Sequence, residues 1–79
     1  MSKLNPHLEI LNILMKKQNL TVRELSAKAG IPPSTLENMF RRNSEPRIMT
    51  LVKICNGLGI RLHELIFMVE QFMKQESNS

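Results

Sequence analysis

Residues 21–40, TVRELSAKAGIPPSTLENMF, spell two short amphipathic helices across one glycine, and this leaves the rest of the chain few ways to fold. Thr21 with Glu24 three places later is a capping box. The hydroxyl takes the backbone N–H of position 24 and the carboxylate reaches back to that of Thr21. Val22, Leu25, Ser26 and Ala29 follow at three-to-four spacing, with Ser26, Ala27 and Ala29 small where another helix must approach closely. Gly30 is the stop, because glycine enters the left-handed conformation at least cost. Ile31 is an apolar plug, and Pro32-Pro33 starts the next helix, where a missing N–H does no harm. Ser34 to Phe40 continue it, with Leu36, Met39 and Phe40 inward and Ser34, Glu37, Asn38 and Arg41 outward.

The flanking segments also read as helices. Asn5 caps a first helix with Pro6 at its first position, running to about Gln18. Its apolar residues form more than one stripe: Leu11, Leu14 and Met15 on one face, Ile10 and Ile13 on a second. A fourth helix spans about Ile48 to Leu58 with Leu51, Ile54, Cys55 and Leu58 inward, and Gly59 ends it. A fifth covers 62–75, with Leu62, Leu65, Ile66, Val69, Phe72 and Met73 at a spacing close to a coiled-coil seam, and 76–79 form a polar tail. No strand-like run appears. The chain of 79 residues is expected to be one all-α domain, a compact five-helix bundle whose core, 6–67, is thin.

The 11 Lys and Arg outnumber the 7 acids, and the excess is local. Residues 1–47 hold eight basic residues against four acids, whereas residues 48–79 hold three of each. That is the distribution of a polyanion-binding face joined to a neutral support, although a basic surface is also an ordinary aid to solubility. The first ten residues are polar and mixed, so no signal peptide is expected. The longest apolar run, Leu65 to Val69, is far short of a membrane span. One cysteine excludes an intramolecular disulfide, and the chain reads as cytoplasmic. Cys55 lies on an inward helix face, and His7 and His63 are far apart, so no metal ligand set is expected. Nor is there a nucleophile–base pair, a phosphate loop or a pair of catalytic carboxylates, so neither catalysis nor a cofactor is expected.

Three motifs in order carry a resemblance. Leu20-Thr21-Val22-Arg23-Glu24-Leu25-Ser26 ending at Gly30, then Ile31-Pro32-Pro33-Ser34-Thr35-Leu36, then Pro46 through Thr50-Leu51, Lys53-Ile54-Cys55 and Gly57-Leu58-Gly59-Ile60 to Leu65. Over residues 8–67 the chain resembles the Cro/phage-repressor type of helix-turn-helix domain, the xenobiotic-response-element family. The resemblance implies a lambda-repressor-like DNA-binding fold in which the second helix of the motif enters the major groove.

That reading implies base contacts from Ser34, Glu37 and Asn38. Asn pairs bidentately with adenine, Glu accepts from cytosine N4, and Ser is adaptable. Phosphate contacts are expected from Arg41, Arg42 and Asn43 in the following loop, from Arg47 and Thr50 at the fourth helix, from Arg23 and Lys28 on the flanks, and from Thr35. Two departures from the family pattern bear on this. Pro33 stands where a polar base reader is frequent, and Val22 where a phosphate-holding glutamine is frequent. Met15 and Phe40 occupy positions that hold an Arg–Glu pair in some members, and a sulfur–aromatic contact is expected instead.

The resemblance thus implies a transcriptional regulator, read as a repressor, that binds a two-fold operator as a homodimer on double-stranded DNA. No small-molecule effector site is evident. The seam residues Leu65, Val69, Phe72 and Met73 are the expected dimer interface, and the Ile10/Ile13 face of the same chain is the competing cover. An antitoxin-like or adaptor module, using the same fold to bind another protein, is the alternative. A membrane-surface helix at 62–75 is disfavoured by its balanced charge.

Overall fold

Three of the five helices in this protein start where a side chain can satisfy backbone groups that a helix leaves open. The computed structural model describes residues 4–77, in which α1 (Pro6–Lys17), α2 (Val22–Ala29), α3 (Pro33–Arg42), α4 (Ile48–Leu58) and α5 (Leu62–Ser77) follow one another. The Asn5 carboxamide oxygen accepts the His7 N–H at 3.0 Å and opens α1. The capping box at α2 is complete: Thr21 Oγ accepts from the Glu24 N–H at 3.1 Å, and Glu24 Oε1 accepts from the Thr21 N–H at 2.9 Å. Glu64 serves the start of α5 in the same way, taking the Arg61 N–H at 2.7 Å.

The first four helices close alike. A left-handed residue stands after each: Asn19 (φ 58°), Gly30 (72°), Asn43 (53°) and Gly59 (75°). The next residue then donates its N–H five places back, Leu20 to Met15, Ile31 to Ser26, Ser44 to Met39 and Ile60 to Cys55, at 2.8–3.2 Å. The two glycines are the stops the sequence predicts. The two asparagines do the same work and were not expected to.

The core collects Leu8, Leu11 and Met15 of α1, Leu25 of α2, Leu36 and Met39 of α3, Leu51, Ile54, Cys55 and Leu58 of α4, and Leu65 and Val69 of α5. Phe40 is half-buried against this cluster, which also contains Met15. The broadest helix–helix contact joins α2 to α4. There Gly57 meets Ala29 so closely that a Cβ on Gly57 would lie 3.0 Å from the Ala29 nitrogen. Ser26 is also buried in α2, and its hydroxyl has no hydrogen-bond partner among the described residues.

Three expectations need correction. Ile10, set with Ile13 on a second face apart from Leu11, Leu14 and Met15, is only 7 % exposed, and Leu8 is fully buried, whereas Leu14 is half-buried and Ile13 stays exposed. The cause is α5, which lies against α1 so that Ile10 and Leu14 share a groove with Met68 and Phe72. Leu65 and Val69, expected between two subunits, are therefore buried in their own chain, and half-buried Phe72 packs on the same core. Each such side chain gains about 1.5–3 kcal/mol from burial, which the seam spacing obtains here without a second chain. Of the expected dimer residues, Met73 alone is exposed, at 50 %. Helix α5 also runs to Ser77, past the predicted end at 75, while residues 78–79 of the predicted tail lie outside the described residues.

Thr21→Ala removes the hydroxyl half of the capping box and should lower stability by about 1 kcal/mol, read as a lower melting temperature. The Thr21 N–H, and after it the Thr21 hydroxyl, hold the Glu24 carboxyl below its ordinary value of 4.5. A carboxyl lowered by folding adds stability above its ordinary pKa and loses it as the pH falls through the lowered one. The gap between wild type and a Glu24→Ala variant should therefore be full at neutral pH and narrow in acid. An equal gap at neutral pH and at about pH 3 would mean that the carboxylate takes no part in the cap.

Two single-methyl changes should go in opposite directions. Ser26→Ala removes a buried hydroxyl without a partner and should leave stability unchanged or raised. Gly57→Ala must push α2 from α4 against backbone atoms and should lower it, by roughly 1–3 kcal/mol. Denaturant titration of both variants checks the pair.

Candidate nucleic-acid interface

Helix α3 presents its polar side to solvent because Leu36 and Met39 are buried and Phe40 half-buried on the other. At about 100° per residue, Ser34, Asn38 and Arg41 fall on the side opposite this apolar edge, with Glu37 beside them. Ser34, Glu37 and Arg41 are exposed, and Asn38 is half-buried. The structure thus brings the three expected base-contacting residues together. It adds Arg41 to their face, although the sequence reading grouped Arg41 with the phosphate contacts. The Nη2 of Arg41 donates to the Asn38 carboxamide oxygen.

Arg42 faces differently. With Thr35, Arg47 and Thr50 it lines a groove of about 460 Å³ between α3 and the start of α4. Glu45 lies on the same lining. The groove ends at the α4 N-terminus, where Arg47 stands at the cap position and offers no side-chain acceptor. The first-turn N–H groups of α4, at the positive end of its dipole, are left to solvent or to an anion. Two guanidinium groups, two hydroxyls and an open helix start form a set of donors suited to a phosphate oxygen.

The other expected phosphate ligands are placed less favourably. Asn43 is the left-handed cap of α3, and its carboxamide oxygen accepts the Asn5 N–H, so this oxygen ties the start of α1 to the end of the exposed helix. A negatively charged ligand would in any case need the amide's donors rather than this oxygen. Arg23 and Lys28 are both exposed, but five positions on one helix set them roughly 140° apart, so they do not converge on one face. Val22 is half-buried against the core, so its departure from the family pattern serves packing.

Of the remaining candidates for chemistry, His63 is exposed, His7 is hydrogen-bonded and Cys55 is buried. His7 Nδ1 lies 2.8 Å from the Asn5 carboxamide oxygen, and since that oxygen only accepts, this ring nitrogen carries the proton. Cys55 is 2 % exposed, and burial, with the Glu64 charge second, raises its thiol pKa. Among the described residues no three His, Cys, Asp or Glu side chains cluster closely enough to hold a metal ion. No helix among them is long and apolar enough to cross a membrane. A buried thiol of raised pKa reacts slowly, so Cys55 should resist iodoacetamide in the native protein and react once urea unfolds it. Native labelling at the rate of a free thiol would show that α4 does not keep it covered.

A family model described as helix-turn-helix matches residues 11–65, well over half of the chain. No curated protein and no solved structure matches it. The match begins in α1 and ends at Leu65, so it contains the α2–α3 pair and the whole groove between α3 and α4.

Proposed function

The chain belongs to the helix-turn-helix family of the Cro/phage-repressor type, a family of DNA-binding transcription regulators, and we propose that it is a repressor acting on a two-fold operator. One observation carries this reading: the polar face of α3 stands beside the basic groove that ends at the open N-terminus of α4. Ser34, Asn38 and Glu37 would meet base edges in the major groove, while Arg42, Arg47, Thr35 and Thr50 would hold the flanking phosphates and set the register. Arg23, from the start of α2, is a further phosphate contact. Residues 1–79 work as one DNA-binding unit in the bacterial cytoplasm, by occupancy of DNA and without catalysis or a cofactor.

One subunit offers about four or five phosphate contacts, which by themselves give weak, salt-sensitive binding. A homodimer doubles them and places two recognition helices about one DNA turn apart. Met73 at 50 %, Phe67 at 60 % and half-buried Ile66 are the apolar side chains that α5 leaves accessible for such a contact. The adaptor reading draws on exposed Ile48 and Met49 at the start of α4, at 58 % and 61 %, which would suit a protein partner. Their neighbours Arg47 and Thr50 line the basic groove and favour DNA.

Arg42→Ala should weaken binding to all duplexes alike and flatten the salt dependence by about one unit. Phe67→Glu combined with Met73→Glu, both at exposed positions, should leave the fold intact and give a monomer with much weaker operator binding. Wild type sedimenting as a monomer at micromolar concentration without DNA would remove the dimer. An Arg42→Ala variant that binds duplex DNA as wild type does would favour the adaptor reading.

A further inference from the structure

We propose that α5 packs antiparallel on α5 of a second copy, with His63 of each subunit paired to Glu70 of the other, so that mild acid tightens the dimer. The inference rests on the homodimer reading and adds to it a register and a regulation. On the solvent side of α5 lies a shallow recess lined by that helix alone, with His63, Ile66, Phe67 and Glu70 among its residues. Phe67 is 60 % exposed, Ile66 is half-buried, and His63 and Glu70 are both exposed. At about 100° per residue these side chains fall on one side of α5, away from buried Leu65 and Val69.

Their order selects the occupant. Ile66 and Phe67 form an apolar centre, with an imidazole three residues before it and a carboxylate three residues after it. A two-fold axis between Ile66 and Phe67 exchanges the ends of this pattern, so that 63 meets 70 and 66 meets 67. The apolar side chains then cover one another, and each imidazole meets a carboxylate. Parallel packing would set imidazole on imidazole and carboxylate on carboxylate. Within one chain His63 and Glu70 are about 10.5 Å apart along the helix axis, so only a second copy can pair them. The same axis brings Met73, 50 % exposed, level with the α4–α5 turn of the second copy, where Val52, Ile60 and Leu62 line another recess.

The regulation follows from the imidazole. Histidine gains its charge as the pH falls from about 8 to 5. A histidine that meets a carboxylate only in the dimer has a raised pKa there, so the dimer gains in acid and loses that gain as the pH rises through the raised value. The charged groups near His63 are Glu64 and Glu70 in the recess and Arg61 two places before it. Helices α1 and α4, which pack against α5, add none to that lining. Lys74, one turn after Glu70, competes for the same carboxylate but keeps its charge throughout this range.

Sedimentation equilibrium of the full chain without DNA, at pH 6 and pH 8, tests this after helical content is verified for each variant. Wild type should dimerise, roughly fivefold more tightly at pH 6. Glu70→Gln should lose that difference, which separates it from any titration of His7. His63→Glu sets carboxylates together and should weaken the dimer roughly tenfold or more, and adding Glu70→Lys should restore it. Such a rescue cannot arise within one subunit, where the two positions lie two turns apart. A wild-type dimer indifferent to pH, or one that His63→Glu leaves unchanged, overturns this register while the homodimer stands. Wild type that stays monomeric at micromolar concentration removes the homodimer itself and leaves the recess to a different protein.

Discussion

Everything the protein presents to a partner depends on how closely α2 lies against α4. At their crossing the backbone of Ala29 touches the open side of Gly57, leaving no room for another carbon. Gly30 follows at once, so the turn leading into α3 starts from a segment held by α4. Leu36 and Met39 then seat α3 in the core that Leu51 and Ile54 of α4 help to form. The groove between α3 and the start of α4 is thus the consequence of one tight crossing, propagated through one turn. Separating α2 from α4 by a few tenths of an ångström would move α3, and Arg42 with it, relative to Arg47 at the start of α4.

What was legible in the sequence is what is decided locally. A capping box needs two side chains three residues apart, and Thr21 and Glu24 satisfy it without help from the rest of the fold. Gly30 and Gly59 announce left-handed stops for the same reason. Asn19 and Asn43 adopt the same conformation less obviously, because asparagine also serves in loops, caps and helix surfaces. The signal was there in each case, an Asn closely following basic residues at a helix end, but only packing decided between the alternatives. The partner of α5 was beyond local reasoning. A seam of Leu65, Val69 and Phe72 is equally satisfied by a second chain or by the chain's own α1, and burial is a property of the assembled fold. Ile10 was misplaced with it, as the same contact seen from the other side. Arg41 was different: the helical period already set it beside Ser34 and Asn38, but its charge suggested a phosphate.

Asn43 has a structural role that its residue type alone does not announce. A polar residue directly after Arg41 and Arg42 has the chemistry of a phosphate ligand. It ends α3 with a positive φ and holds the Asn5 N–H, joining the first residue before α1 to the end of α3. The exposed helix is thereby fixed at both ends, by the α2–α3 turn at its start and by the link to α1 at its finish. Precise presentation of base-reading side chains requires such support, since a hydrogen bond that discriminates between bases tolerates little displacement.

The distribution of caps follows the same division between frame and face. Helices α1 and α2 satisfy their starting N–H groups with side chains, and Glu64 takes the Arg61 N–H at the start of α5. Helices α3 and α4 have no side-chain cap, and these are the two that border the proposed DNA-binding groove. At α3 the deficit is reduced by proline: Pro33 has no N–H, and the Thr35 N–H returns to the Pro32 carbonyl at 3.0 Å. At α4 no such device operates, and Arg47 adds positive charge where a capping residue would have brought an acceptor. An uncapped helix start exposed to water forgoes about 1 kcal/mol of stability. Here that loss leaves donors available where, in the proposed function, a phosphate supplies the missing acceptor, so the binding partner completes a helix that the chain itself leaves unfinished.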